Sequence, residues 1–183
     1  MKKETTAHYV IRLTLTLFLI TAIVACCLAA VNGVTKPRIA ASKEKKAQQA
    51  VEAVRPGGGE PVEHFTDETG TVSKVYASDA GYAIEVNPSG FNGPITMMVG
   101  VSRQGEVLGI SIVTQTETAG LGATCAAKTS AGEAFRGQYA GGSGVLAVTK
   151  DGGSIDAITG ATITSRAVTA GVNAALACAG AME

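Results

Sequence analysis

The chain predicts an α+β fold, an antiparallel sheet with packed helices, preceded by a single transmembrane helix. Three observations carry that reading. Leu13 to Val34 holds no charged residue; four short strand-like segments follow one another across tight turns; and the C-terminal stretch is Ala-rich with apolar residues at helical spacing. With 183 residues there is room for one ordinary domain and an anchor, not comfortably for two domains. The expected division is an N-terminal flank at 1–12, the span at 13–34, a helical linker at 35–60 and the folded domain at 61–183.

The span LTLTLFLITAIVACCLAAVNGV has the length that a bilayer core needs, about 20 residues of helix. Its threonines can return their hydroxyls to carbonyls of the preceding turn, so they do not forbid a span. The competing reading is a cleaved signal, with Ile23-Val24-Ala25-Cys26 loosely like a lipobox and Cys26 lipidated. Uninterrupted apolar sequence past Cys27 favours the retained span. Lys2, Lys3 and Arg12 precede it, while Lys36, Arg38, Lys43, Lys45 and Lys46 follow. By the positive-inside rule alone, that count places the large domain in the cytoplasm.

Residues 38–54 (RIAASKEKKAQQAVEAV) are good helix formers after a break expected at Pro37. Ile39, Ala47, Ala50, Val51 and Val54 make a thin apolar stripe, which predicts a lever between membrane and domain rather than a core helix. Arg55-Pro56-Gly57-Gly58-Gly59 ends it. Strands are expected at Val72–Tyr76, Tyr82–Val86, Ile95–Val101 and Val107–Val113, all rich in β-branched or aromatic residues. The turns Ser78–Gly81, Asn87–Gly90, Asn92–Pro94 and Arg103–Glu106 join them into an antiparallel meander. Val145–Val148 reads as a further strand and Ser165–Ala179 as the closing helix.

Composition excludes several functions. Lys+Arg and Asp+Glu both total 15, so no basic excess supports nucleic-acid binding. Aromatics are 4% with no Trp, which leaves few stacking platforms for single strands. The four cysteines, Cys26, Cys27, Cys125 and Cys178, contain no C-x-x-C pair, and the histidines are His8 and His64 alone. That set does not supply a zinc or iron–sulfur site. Cys26 and Cys27 read as small apolar residues of the span, and whether Cys125 and Cys178 pair is left open.

Two segments carry chemistry. Glu117-Thr-Ala-Gly-Leu-Gly122 follows a predicted strand, and its glycines permit close backbone approach to a ligand. It is no nucleotide fingerprint, since neither G-x-G-x-x-G nor a P-loop lysine is present. Asp156-Ala-Ile-Thr159-Gly160-Ala161-Thr162-Ile-Thr164-Ser165 crowds four hydroxyls and a carboxylate into the entry of the last helix. Thr164 or Ser165 can cap that helix, and its free N–H groups favour a phosphate. On residue chemistry alone a plain helix cap outweighs a ligand site.

The run D-x-x-T-G-A-T ending at Thr162 resembles the flavinylation motif of the FMN-binding domain family. That domain occurs in the G subunit of the Rnf complex and the C subunit of Na⁺-translocating NADH:quinone oxidoreductase. Glu117–Gly122 is similar to the family's E-T-P-G-L-G with Ala119 in place of proline, and Gly90-Phe-Asn-Gly-Pro-Ile95 to its G-Y-G-G-P-I. With the anchor and basic helix the similarity covers nearly the whole chain, and its short length favours the Rnf member over the quinone oxidoreductase one. The resemblance implies FMN joined to Thr162 by a phosphodiester, installed by a separate flavin transferase from FAD. Thr162 is then a modification acceptor, with no catalytic residue implied. Thr159, Gly160, Ala161 and Thr164 are expected around the attachment, and Glu117, Thr118, Leu121 and Gly122 around the ring and ribityl chain. Asp156 either assists the transferase or braces the loop. The implied role is electron relay between neighbouring membrane subunits of an Rnf-type ferredoxin:NAD⁺ oxidoreductase, with the domain outside the cytoplasm. A standalone membrane-anchored flavoprotein reductase and a non-redox binding lipoprotein are the alternatives.

Overall fold

A computed structural model describes residues 6–54, 60–62 and 70–182. The turn expected at 55–59 and His64 lie outside them. The chain divides into two units, Met1–Glu44 and Lys45–Glu183. Helix α1, Thr6–Val54, starts in the first unit and ends in the second. Its apolar N-terminal part is long enough to cross a bilayer, and Leu15, Leu17, Phe18 and Leu19 are all exposed. Thr14 and Thr16 donate their hydroxyls to the carbonyls of Val10 and Arg12 at 3.0 and 2.8 Å, so these polar groups are satisfied within the helix. Pro37 lies inside α1 and does not break it, contrary to expectation. The helix loses one backbone bond there, and strong formers on the following side carry it on.

In the second unit five strands form one antiparallel sheet in the order β1-β2-β3-β4-β5. They are β1 Glu60–Val62, β2 Val72–Ser78, β3 Gly81–Val86, β4 Thr96–Ser102 and β5 Val107–Thr114. The four expected strands are present, and the short β1 is added beside β2. Both faces of the sheet centre are covered, which is why β4 is buried at nearly every position rather than at alternate ones. On one face Ile84, Val86, Met97, Val99 and Val101 meet helix α3, Thr162–Gly180, through Val168, Val172 and Ala175. Helix α2, Ser130–Gly137, adds Phe135 to the same core.

The opposite face holds a correction. The last turns of α1 do not stand free as a lever: Ala50, Val51 and Val54 are buried against Ala83 and Met98. The thin stripe suffices because the sheet beneath it offers small residues. A Cβ on Gly100 would lie 2.6 Å from the Val54 carbonyl oxygen, so glycine lets helix and strand close together.

Val145–Val148 is no strand either. Val148 makes an isolated bridge to Ile155, and Val145 is exposed. Asn173 of α3 takes over the strand's hydrogen bonding: its side chain accepts from Leu146 N at 2.9 Å and donates to Leu146 O at 2.8 Å.

Candidate functional site

Three loops meet at one end of the sheet. They are 90–95 between β3 and β4, 115–122 after β5, and 156–161 leading into α3. Glu117 is their hub. Its carboxylate is buried and accepts Asn92 N–H at 2.9 Å on Oε1 and the Thr164 hydroxyl on Oε2. Asn92 and Thr116 exchange two further bonds, side-chain N–H to Thr116 O at 2.8 Å and hydroxyl to Asn92 O at 2.9 Å. The glycines of these motifs admit that carboxylate. A Cβ on Gly90 would lie 2.6 Å from Glu117 Oε1, and one on Gly122 would lie 2.7 Å from Oε2.

Helix α3 begins at Thr162, three residues earlier than expected, with Ala161 as N-cap and no side chain capping it. The expected capping hydroxyls are used elsewhere. Thr164 bonds Glu117, while Ser165 accepts Ile158 N–H at 2.9 Å and donates to Ala161 O at 3.0 Å. First-turn N–H groups have no partner inside their own helix, so the entry to α3 is left positively polarised.

A cavity of 360 Å³ opens between these loops, lined by Phe91, Glu117, Thr118, Leu121, Gly122, Lys150, Gly160, Ala161, Thr162, Ile163 and Thr164. The volume is at the small end of ligand sites, which run from about 300 to 1,000 Å³. Phe91, Leu121 and Ile163 stay 65%, 43% and 51% exposed around it, an apolar rim left open among the described residues. Eight of the ten site residues expected from sequence come together here: Glu117, Thr118, Leu121, Gly122, Gly160, Ala161, Thr162 and Thr164. Asp156 and Thr159 do not. They line a separate cleft of 580 Å³ with Gly120, Phe135 and Gln138. Gln138 clamps the Asp156 backbone, accepting its N–H at 2.7 Å and donating to its carbonyl at 3.2 Å, which fixes Asp156 on that cleft.

Sequence reasoning missed Phe91, Ile163 and Lys150. Phe91 sits within a motif already singled out, and Ile163 within another. Lys150 had no signal beyond a turn-forming Asp151-Gly152-Gly153, yet its Nζ donates to Thr162 Oγ1 at 3.2 Å. Below the site, burial and the nearby Glu117 charge push the Cys125 thiol up to about 11, despite the Arg136 guanidinium acting the other way. Burial likewise pushes the Tyr139 phenol up to about 12. Cys125 and Cys178 are both buried thiols with no disulfide between them. This site offers an anion position beside Thr162 and an apolar wall next to it.

Comparison with known proteins matches residues 90–177 to the FMN-binding domain family, a range that takes in all three loops. The chain is 34% identical over 189 residues to the G subunit of the Na(+)-translocating ferredoxin:NAD(+) oxidoreductase complex of Acetobacterium woodii, covering 90% of this chain and 88% of that protein. It is 39% identical over 110 residues to the G subunit of the proton-translocating ferredoxin:NAD(+) oxidoreductase complex of Clostridium ljungdahlii, covering 55% and 57%. Against the G subunit of the ion-translocating oxidoreductase complex of Pseudomonas aeruginosa it is 42% identical over 92 residues, covering 49% and 43%. The latter two alignments thus take in about half of those relatives' length.

Proposed function

The chain belongs to the FMN-binding domain family, with the G subunits of ion-translocating oxidoreductase complexes, and we propose that it is their membrane-anchored electron relay with FMN joined through phosphate to Thr162. One observation carries the attachment: Thr162 opens α3 on the wall of the cavity, beside an uncapped helix entry and a lysine ammonium. The residues present fit the group. Lys150 and the α3 entry suit a phosphate, and Phe91, Leu121 and Ile163 suit a flat apolar ring system. Bound FMN supplies the electron-transfer chemistry, and the protein supplies position and surroundings. Covalent attachment suits so shallow a site, because it removes dissociation.

Thr162 is an acceptor for a separate flavin transferase. Among the described residues its hydroxyl meets the Lys150 ammonium, a donor that cannot take its proton and make it a nucleophile unaided. Electrons pass between the flavin and centres in neighbouring membrane subunits, in the setting of a ferredoxin:NAD⁺ oxidoreductase complex. The apolar helix of the first unit is the anchor, and the FMN domain faces the extracytoplasmic side.

Expression with and without a flavin transferase, followed by a denaturing gel, tests the attachment. A fluorescent band is expected only with the transferase, and Thr162→Val should abolish it. A dark band from a transferase-positive host sinks the flavoprotein reading. Co-purification with integral membrane partners supports relay, and recovery of a flavoprotein that reduces soluble acceptors alone supports the standalone reductase. Protease added to intact spheroplasts should digest the domain; full protection reverses the orientation.

A further inference from the structure

The backbone turn that carries Lys150 is held from several sides. That turn, Thr149–Asp151, ends on Gly152 in the left-handed region at φ 85°. Thr149 N donates to Ile155 O at 2.8 Å, Ile155 N to Ala147 O at 3.1 Å, and Gly153 N to Val148 O at 3.1 Å. Gly153 admits no side chain, since a Cβ there would collide with the Ala147 carbonyl. Arg166, one turn into α3, then grips Asp151 with two bonds, Nε to Oδ2 at 2.7 Å and Nη2 to Oδ1 at 2.5 Å. That grip ties the turn to the same helix that begins with Thr162. Lys150 is exposed, yet its Nζ meets Thr162 Oγ1. Of the described residues lining the cavity it is the one cation, and Glu117, the one anion among them, has both oxygens engaged by Asn92 and Thr164.

We propose that Lys150, held by the Asp151–Arg166 clamp, orients the Thr162 hydroxyl for phosphoryl transfer and afterwards pairs with the resulting phosphodiester. The inference rests on Thr162 being the FMN acceptor. Because the ammonium donates to Oγ1, the hydroxyl hydrogen points away from it, toward a base of the transferase. The co-reactant is a flavin dinucleotide with a pyrophosphate bond. The Thr162 Oγ1–P bond forms at the flavin-side phosphorus, the P–O bond to the nucleoside monophosphate breaks, and the hydroxyl proton goes to that base. Nothing is oxidised or reduced. The phosphodiester left on Thr162 carries one negative charge, which the Lys150 ammonium meets without moving far.

The test uses the full-length chain co-expressed with a flavin transferase, as wild type, Lys150→Met, Lys150→Arg, Asp151→Asn and Thr162→Val. Intact mass gives the flavinylated fraction over time, and polarisation of flavin fluorescence reports how firmly the attached group is held. Lys150→Met should slow flavinylation by about tenfold or more, the loss expected for one charged hydrogen bond. Its residual flavin should be less polarised, and thermal melting should be unchanged. Lys150→Arg should recover most of the rate, with Asp151→Asn falling between. Wild-type rate and polarisation in Lys150→Met overturn the inference while leaving the acceptor reading intact. So does a Lys150→Arg chain as slow as Lys150→Met. Flavin still attached in Thr162→Val overturns the acceptor reading itself.

Discussion

Glu117 sets the architecture of the site because a buried carboxylate must find donors, and it finds one in the 90–95 loop and one in the first turn of α3. Replacing it by Gln keeps the shape but supplies one acceptor atom where two donors converge. The Gln oxygen can keep Asn92 N–H, but the Thr164 hydroxyl must then turn round and accept from the amide NH₂, and both bonds lose the charge of the carboxylate. Glu117→Gln should cost about 1–3 kcal/mol in urea denaturation and loosen the entry to α3. Gly122→Ala should cost a similar amount, about 1–3 kcal/mol, by overpacking. Its Cβ would meet Thr164 Oγ1 at 2.5 Å as well as the carboxylate, and neither can retreat without breaking their bond. The Glu117–Gly122 run was legible as a ligand turn. That Glu117 works as a brace, with both oxygens turned to the protein, was not. Hydrogen-bond partners 25 and 47 residues away leave no local mark in sequence.

Among the elements, α1 and α3 depart most from their sequence reading. The sequence predicts α3 from Ser165 because Thr164 and Ser165 are good caps, but those hydroxyls are drawn into tertiary bonds and Ala161 becomes the cap. Thr162 therefore occupies the first helical position, where the polarised N–H groups are. At the end of α1, packing on the sheet depends on Gly100 lying under Val54. Gly100→Ala should push residues 45–54 off β4. The expected cost is about 1–3 kcal/mol in denaturation. It should come with faster amide exchange across those residues and little change around Thr162. Equal exchange in mutant and wild type would show that this contact contributes little.

At the scale of the whole molecule, the core is protected by neutral forms of Cys125 and Tyr139. Both groups are pushed up in the fold, Cys125 from 9.0 to about 11 and Tyr139 from 10.0 to about 12, chiefly by burial. Well below pH 9 the folded and unfolded chains hold these protons equally. As pH rises further the unfolded chain releases them first, so stability should fall between pH 9 and about 12. Urea midpoints at about pH 8 and about pH 10.5 measure the slope, and Cys125→Ala with Tyr139→Phe should flatten it. A slope unchanged in the double variant would assign the loss to other groups. The sequence by itself determined the long apolar helix, the four-strand meander, the closing helix and the motifs that gather at one site, because each is written in local periodicity or in contiguous residues. Tertiary structure alone decided that α1 ends on the sheet, that Asp156 and Thr159 line a different cleft, and that Lys150 reaches Thr162. Those outcomes depend on which surfaces are small enough to meet and which donors lie opposite which acceptors. Such pairings form between residues far apart in the chain, where no pattern in the sequence records them.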